Sequence, residues 1–387
     1  MRIAYGVFGY GRGHATRAAA VLPHLMRRHE IHLFAGGDAY EQLSPGYRVE
    51  RIPTLSYAYD GDGKVSSWLT GQRNAWSVSD LLLGGPQFRA VRDAVADFDP
   101  DVIISDAEPW LHRVARHLGV PRIGFDHYGV LVYCRPPIAL ADRLRSRRDV
   151  LTYRFLMGRP ERIIVSSFYD APPRWPSVRV VGPLLRPEVL RANATRGEHL
   201  LVYFNKGQHQ LTPHIERALR DVGSPAIIYG TPQRGRDGNL DFRPLSNVPF
   251  VEDLARCRAV ISTAGNQLVG EALHLGKPLL VMPEHSVEQR LNAAEVERLG
   301  IGRQVAQAEF NADVLRSFLA AEATYGARIR RTARDGCQEA VAAIEQCVRE
   351  LAGTCTQPRR VDSYSRHEAL ISSSSAPRRV PAAGPRS

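Results

Sequence analysis

The sequence predicts an α/β protein of two Rossmann-like, doubly wound domains facing each other across a cleft. Three observations carry that reading. Short apolar runs alternate with helical stretches along the chain. The runs are continuously apolar rather than alternating, as parallel strands covered on both faces require. The pattern breaks once, near Val180-Val-Gly-Pro-Leu-Leu-Arg-Pro, and restarts at Leu200. Such repetition selects stacked α/β layers, and 387 residues with 44% hydrophobic content leave room for two full cores.

In chain order, the first half offers strands at Ile3–Val7, Ile31–Phe34, Val102–Ile104, Arg122–Phe125 and Ile163–Ser166. Helical patterns fall at Ala15–His29, Pro86–Asp97 and Trp110–Leu118. The second half offers strands at Leu200–Phe204, Ala226–Tyr229, Ala259–Ser262 and Leu279–Met282. Its helices are expected at Pro213–Val222, Glu252–Cys257 and Gln267–Leu275, with a long Ala- and Arg-rich helix after Ala323 that can cross back to the first domain. The reading is therefore an N-terminal domain over 1–180, a Pro/Gly/Arg-rich linker over 181–197, and a C-terminal domain over 198–352 including the closing helix. The Pro-, Ser- and Arg-rich stretch 353–387 has little to pack and is expected to be a disordered basic tail.

The net charge of +11 does not describe a nucleic-acid-binding face. Lysine occurs three times (Lys64, Lys206, Lys277), so 48 of the 51 basic residues are arginine. The tail contributes a net +4 and the segment Arg135–Arg162 a net +5, leaving the remaining body nearly neutral. No RRM, KH or helix-turn-helix pattern is present. Five cysteines form no CxxC pair and, being odd in number, no disulfide framework. No apolar run approaches the ~18 residues of a membrane-spanning helix, and the start lacks a secretory signal. A cytoplasmic location is expected, with attachment at a membrane periphery left open.

Two glycine turns carry the chemistry. The first strand ends in Gly6-Val-Phe-Gly-Tyr-Gly11-Arg-Gly13-His14 and leads into a helix. The glycines allow close backbone approach, and the helix N-terminus points its amides into the same space. A dinucleotide fingerprint would need glycine where His14 stands, and Asp38 comes four residues late for a ribose, so a dehydrogenase is disfavoured. His14 is placed to accept a proton; a packing histidine is the alternative. The second turn is Val260-Ile-Ser-Thr263-Ala-Gly265-Asn266-Gln267-Leu-Val-Gly-Glu271, where a diphosphate can rest on the first helical amides and a carboxylate follows within the helix. Glu284-His-Ser-Val-Glu288-Gln289-Arg-Leu-Asn292 then opens another helix with an acid–amide pair suited to sugar hydroxyls.

The pattern S-x-A-G-x(5)-E-A-x(3)-G-K-P followed by P-x(4)-EQ-x-x-N-A resembles the donor site of GT-B nucleotide-sugar glycosyltransferases. That group includes the lipid-II-forming N-acetylglucosaminyl transferase, diacylglycerol glycosyltransferases, and the plant and antibiotic enzymes. Gly-Arg-Gly-His-Ala-Thr-Arg and Pro100-Asp-Val-Ile-Ile-Ser-Asp106 look closest to an uncharacterised microbial branch of it. The resemblance spans roughly residues 1–350 and implies an acceptor side in the first domain and donor binding in the second. It implies that Gly265, Asn266 and Gln267 hold the diphosphate, that Glu271 holds the ribose, and that Glu288 and Gln289 hold the transferred sugar. Phe250 and Val251, just before a helix, would flank the nucleobase through main-chain contacts. His14 matches the family's glycine-turn histidine, with Gly11 and Gly13 in that turn, and Asp106 matches the aspartate that orients it. Several members carry Ser or Thr where this chain has Leu268, a contact that Thr263 or Asn266 would take over.

The implied reaction is an inverting, metal-independent transfer of a hexose from a nucleotide sugar, UDP-linked, to an acceptor hydroxyl. His14 would be the base, and the helix amides, helped by Lys206, would meet the leaving diphosphate. No cofactor is implied beyond the nucleotide-sugar co-substrate. The acceptor, lipid-linked or small, is not legible. Two alternatives remain open: a nucleotide-sugar epimerase of the same fold, and a non-catalytic nucleotide-sugar-binding partner of a transferase. Asp60-Gly-Asp62 spells a metal-binding DxD but reads as a solvated turn. Trp68–Leu83 and the arginine-rich Ala139–Met157 fit either an anionic membrane surface or lipid-linked acceptor, or a solvated basic rim.

Overall fold

The computed structural model describes residues 1–60, 66–205, 207–332 and 334–352. Two seven-stranded sheets form the core of two α/β halves. The first contains β1 (Arg2–Val7), β2 (Glu30–Ala35), β3 (Val49–Arg51), β4 (Val102–Asp106), β5 (Arg122–Asp126), β6 (Arg162–Ser166) and β7 (Val178–Val181). All pairings are parallel, in the order β3-β2-β1-β4-β5-β6-β7. The second contains β8 (Leu200–Tyr203), β9 (Ala226–Tyr229), β10 (Gly235–Asp237), β11 (Leu240–Arg243), β12 (Ala259–Ser262), β13 (Leu279–Val281) and β14 (Gly302–Gln304). Its order is β10-β11-β9-β8-β12-β13-β14, with only β10 antiparallel.

The strand order reverses direction beside β1 in one sheet and beside β8 in the other. Open α/β sheets leave a crevice at the carboxyl ends of such strands, because the flanking helices go to opposite faces. Both glycine-rich turns emerge there, and the two edges face each other. A Cβ placed on Gly11 would lie 3.6 Å from Asn205 Nδ2, and one on Gly13 3.7 Å from the Cβ of Gln267. One continuous apolar cluster joins the halves, with Leu131 and Tyr133 from the first packed in it beside Leu268 and Val287 from the second.

Three of the differences from the sequence reading matter most. The first helix runs Arg12–Leu25 rather than Ala15–His29, so Gly13 and His14 lie inside its first turn. The helix expected at Glu252–Cys257 starts earlier and covers Asn247–Arg256. Pro249 is its third residue, where a missing N–H costs nothing because first-turn amides have no intrahelical acceptor. The long helix after Ala323 is two helices, Glu322–Thr332 and Cys337–Ala352. The second returns to the N-terminal half and buries Ala340, Ile344, Cys347 and Val348 against that half's core.

Glycine makes this return possible. Gly336 N donates to Pro183 O at 2.8 Å, and a Cβ on Gly336 would sit 2.2 Å from Gly182 O. Gly182 N in turn donates to Glu339 Oε2 at 3.0 Å. Two backbones thus cross at a distance no side chain permits. The tail 353–387, Lys206 and Asp62 lie outside the described residues. No helix among the described residues is long and apolar enough to cross a membrane.

Candidate functional site

Two glycine positions build the first turn. A Cβ on Gly9 would fall 2.3 Å from Thr54 Oγ1 and 2.4 Å from Gly36 O, and Gly11 adopts φ +83°. Asp38, too late in sequence for a ribose, accepts from Gly11 N at 2.9 Å and so pins the turn. The helix then presents His14 toward the end of β4. His14 Nδ1 lies 2.7 Å from Asp106 Oδ1, and Phe8 meets the imidazole edge-on at 5.3 Å. Asp106 is fully buried, while His14 keeps 23% of its side chain accessible. The residue after Asp106, Ala107, holds φ +51°, a strained conformation of the kind stored at functional turns.

A third member of this cluster was not foreseen. Arg17, one turn after His14 and buried, donates from Nε to Asp106 Oδ2 at 2.8 Å and from Nη2 to Oδ1 at 2.6 Å. The same Nη2 is 3.0 Å from His14 Nδ1. Burial pushes the Asp106 carboxyl up, but Arg17 and His14 together outweigh it and hold the group below its ordinary value. The i, i+3 spacing of His14 and Arg17 places both on one helix face, which is the signal that would have found it.

In the second half, β12 ends at Ser262 and the chain turns through Thr263, Ala264 and Gly265. Ala264 takes φ +68°, the second strained alanine at a strand end. The helix Asn266–His274 follows without a side-chain N-cap, leaving its first amides for a ligand. Asn266 is buried, yet neither its Oδ1 nor its Nδ2 has a partner among the described residues, and a buried amide side chain costs stability unless something satisfies it. Thr263 is also buried.

Gln267 and Glu271 turn toward the linker. Gln267 Nε2 donates to Leu184 O at 2.6 Å and to Glu271 Oε1 at 2.9 Å. Arg186 grips Glu271 in a two-pronged pair, Nε–Oε1 2.8 Å and Nη2–Oε2 2.7 Å, and lies over the Phe250 ring at 5.6 Å. Arg186 was not anticipated. With two bonds on Oε1 and one on Oε2, the carboxylate retains lone-pair capacity on Oε2. Phe250 and Val251 are buried within the helix Asn247–Arg256 rather than before it. The Phe250 amide donates to Ser246 O there.

Glu288 and Gln289 open the helix Val287–Arg298. Gln289 Oε1 accepts from Glu284 N at 3.0 Å. Glu288 Oε1 accepts from Asn292 Nδ2 at 3.1 Å and lies 3.5 Å from Nε2 of His127, a residue of the other half. Asn292 ties the site together. Its Nδ2 also donates to Ala264 O at 3.0 Å, and its Oδ1 is 3.1 Å from His127 Nε2. The structure thus joins His14 with Asp106, sets Gly13 against Gln267, and links Glu288 to the Gly265 turn through Asn292. Among the described residues no group of three His, Cys, Asp or Glu side chains could hold a metal ion.

Residues 1–322 match the sequence model of a family described as Glycosyl transferase family 1. The chain belongs to that family. A protein of Methanosarcina mazei described as an uncharacterized glycosyltransferase is 27% identical over 344 residues, covering 79% of this chain and 86% of that one. Among solved structures, the calicheamicin glycosyltransferase CalG4 superposes with a TM-score of 0.64 at 20% identity, over 92% of this chain and 100% of that one. UGT2 of Phytolacca americana, solved with UDP-2-fluoro-glucose and pterostilbene, gives 0.61 at 16% identity, over 90% of this chain and 98% of that one. At these identities the two structures share the fold of this chain. The expected GT-B architecture holds, and the protein is a glycosyltransferase.

Proposed function

We propose that this glycosyltransferase moves a hexose from a nucleotide sugar, UDP-linked, to an acceptor hydroxyl with inversion and without a metal. The observation that carries the reading is the His14–Asp106 contact of 2.7 Å on a helix that packs against the uncapped start of Asn266–His274. With Nδ1–H donating to Asp106, Nε2 is left to accept the acceptor's proton. The acceptor oxygen then bonds to the anomeric carbon as the bond from that carbon to the diphosphate oxygen breaks. The proton ends on Nε2, and the electron pair leaves with the nucleoside diphosphate.

Amides at Gly265–Gln267 and the Asn266 side chain meet the leaving charge, in a position where fixed dipoles need no reorganisation. Oε2 of Glu271 takes the ribose, and Glu288 with Gln289 takes the sugar. The donor bound to the Phytolacca structure, a UDP-hexose analogue, supports the choice of nucleotide. His14→Ala is expected to cut transfer by about 10²–10⁴-fold while sparing donor affinity. Turnover is followed by release of nucleoside diphosphate, and donor binding by calorimetry. Near-native turnover in the variant removes the base assignment. Free sugar formed without any acceptor points to donor hydrolysis rather than transfer. A donor panel screened by thermal shift identifies the nucleotide, since a ligand at 100 times its Kd adds about 2.7 kcal/mol.

A further inference from the structure

A second concavity lies between the helix Arg143–Met157, the segment leading into it, and the helix Val287–Arg298. Its volume is about 1000 Å³, and its walls come from both halves of the chain. That is the upper end of the range for pockets that hold small organic molecules. Leu131, Val132, Ile138, Val150 and Leu291 give it an apolar floor.

The rim has the opposite character. Arg143, Arg147, Arg154 and Arg174 line it. The one carboxylate in the lining, Asp142, is already spent on Arg290 through bonds of 2.9 and 2.6 Å, so it does not offset the other four. Arg154 and Arg174 reach main-chain carbonyls of Val132 and Cys134, and Arg154 lies over the Trp175 ring at 5.8 Å, so among the described residues neither is paired with a carboxylate. Arg143 and Arg147 are exposed, and their guanidinium groups have no hydrogen-bond partner among the described residues. They recur with Val150, Leu151 and Arg154 at i, i+4, i+7, i+8 and i+11, one face of one helix. A merely solvated helix keeps its arginines apart from its apolar residues. Here unpaired cations and apolar side chains share a face, and Leu151 is 66% exposed.

We propose that this groove binds a single anionic amphiphile, its hydrocarbon chain along the floor and its phosphate-like head on Arg143 and Arg147. Free phosphate would leave the floor unused, and a neutral chain would leave the arginines unused. The helix Val287–Arg298 lines the groove with Arg290 and Leu291 and carries Glu288 and Gln289 on its adjoining face.

The test is calorimetric titration of the full chain with dodecyl phosphate, dodecyl maltoside and inorganic phosphate, each kept below any micelle concentration. Dodecyl phosphate is expected to bind saturably and more tightly than either other probe. The double variant Arg143→Gln/Arg147→Gln is expected to lose about tenfold or more in affinity, the loss of at least one charge-assisted hydrogen bond. Leu151→Glu should weaken binding as well, and Arg217→Gln, a remote exposed arginine, should leave it unchanged. His14→Ala should also bind normally, which separates failure of the transfer chemistry from failure of the groove. Equal binding of the phosphate and maltoside amphiphiles overturns the proposal, as does unchanged affinity in the double variant. Binding confined to phosphatidylglycerol vesicles, with none to monomeric dodecyl phosphate, overturns it in favour of a bilayer surface.

Discussion

Arg17→Met tests whether the buried cluster behind His14 works as an electrostatic unit. The guanidinium makes two bonds to a fully buried carboxylate, at 2.8 and 2.6 Å. Removing one partner of a buried pair costs about 3–5 kcal/mol when the other stays charged. The carboxylate has a way out, which is to take up a proton. In the native protein burial raises Asp106, but Arg17 and His14 bring it below its ordinary value. Without Arg17 the burial effect dominates and the group moves above it. The two cases have opposite pH dependence. A depressed carboxyl contributes stability that is present above the unfolded value near 3.9 and lost as pH falls through the folded one. A raised carboxyl instead loses stability as pH climbs from that value. The gap between native and variant must therefore widen from pH 4 toward neutrality. Asp126 strengthens the expectation, because its carboxyl is raised by burial and by Asp106, and Arg17 opposes that rise. Urea unfolding followed by tryptophan fluorescence at pH 4.5 and 7.5 measures the gap. A gap that is the same at both pH values, or stays below about 1 kcal/mol, refutes the reasoning. Arg17→Lys should recover part of the loss, keeping the charge without the planar fork.

Two further outcomes follow from the same geometry. Glu271→Ala should weaken nucleoside diphosphate binding by about tenfold to a hundredfold, the worth of a charge-assisted hydrogen bond. Arg186→Met should weaken it less; equal losses of thermal stability in both variants with unchanged affinity would leave Glu271 only its grip on the linker. His112 is fully buried with neither ring nitrogen bonded among the described residues, and burial, then the Arg122 charge, push it down to about 3. Its unfolded form titrates near 6.5, so acid favours the unfolded chain between those values. His112→Phe should thus gain stability relative to the native protein as pH falls from 7 to 4, and a gap in urea midpoint that does not change with pH contradicts it.

What could be read in advance follows a physical line. The central strands were legible because burial on both faces forces continuous apolar runs such as Val102-Ile-Ile and Ala226-Ile-Ile-Tyr. Five strands were missed: β3, β10 and β14, which read Val-Glu-Arg, Gly-Arg-Asp and Gly-Arg-Gln, and the four-residue β7 and β11, Val-Arg-Val-Val and Leu-Asp-Phe-Arg. All but β11 lie at sheet edges, where hydrogen bonding more than burial keeps them extended, and all are short with an arginine in the run, so no continuous apolar stretch marks them. The helix expected from Glu252 starts five residues earlier, at Asn247, with Pro249 in its first turn, where a proline is harmless.

The same division runs through the site. His14 was read from the glycine turn and Asp106 from the family resemblance, and the register that pairs Val7 with Asp106 sets the two strand ends side by side. Arg186 was read from neither, because its meaning lies in a partner 85 residues away on another domain. A linker rich in Pro, Gly and Arg looks like spacer, yet this one delivers a guanidinium to Glu271 and a carbonyl, Leu184 O, to Gln267. Two of the donor-site candidates are thus held by the linker itself, through Arg186 on Glu271 and Leu184 O on Gln267, so the segment is fastened to the C-terminal half rather than strung between the two as a bare spacer.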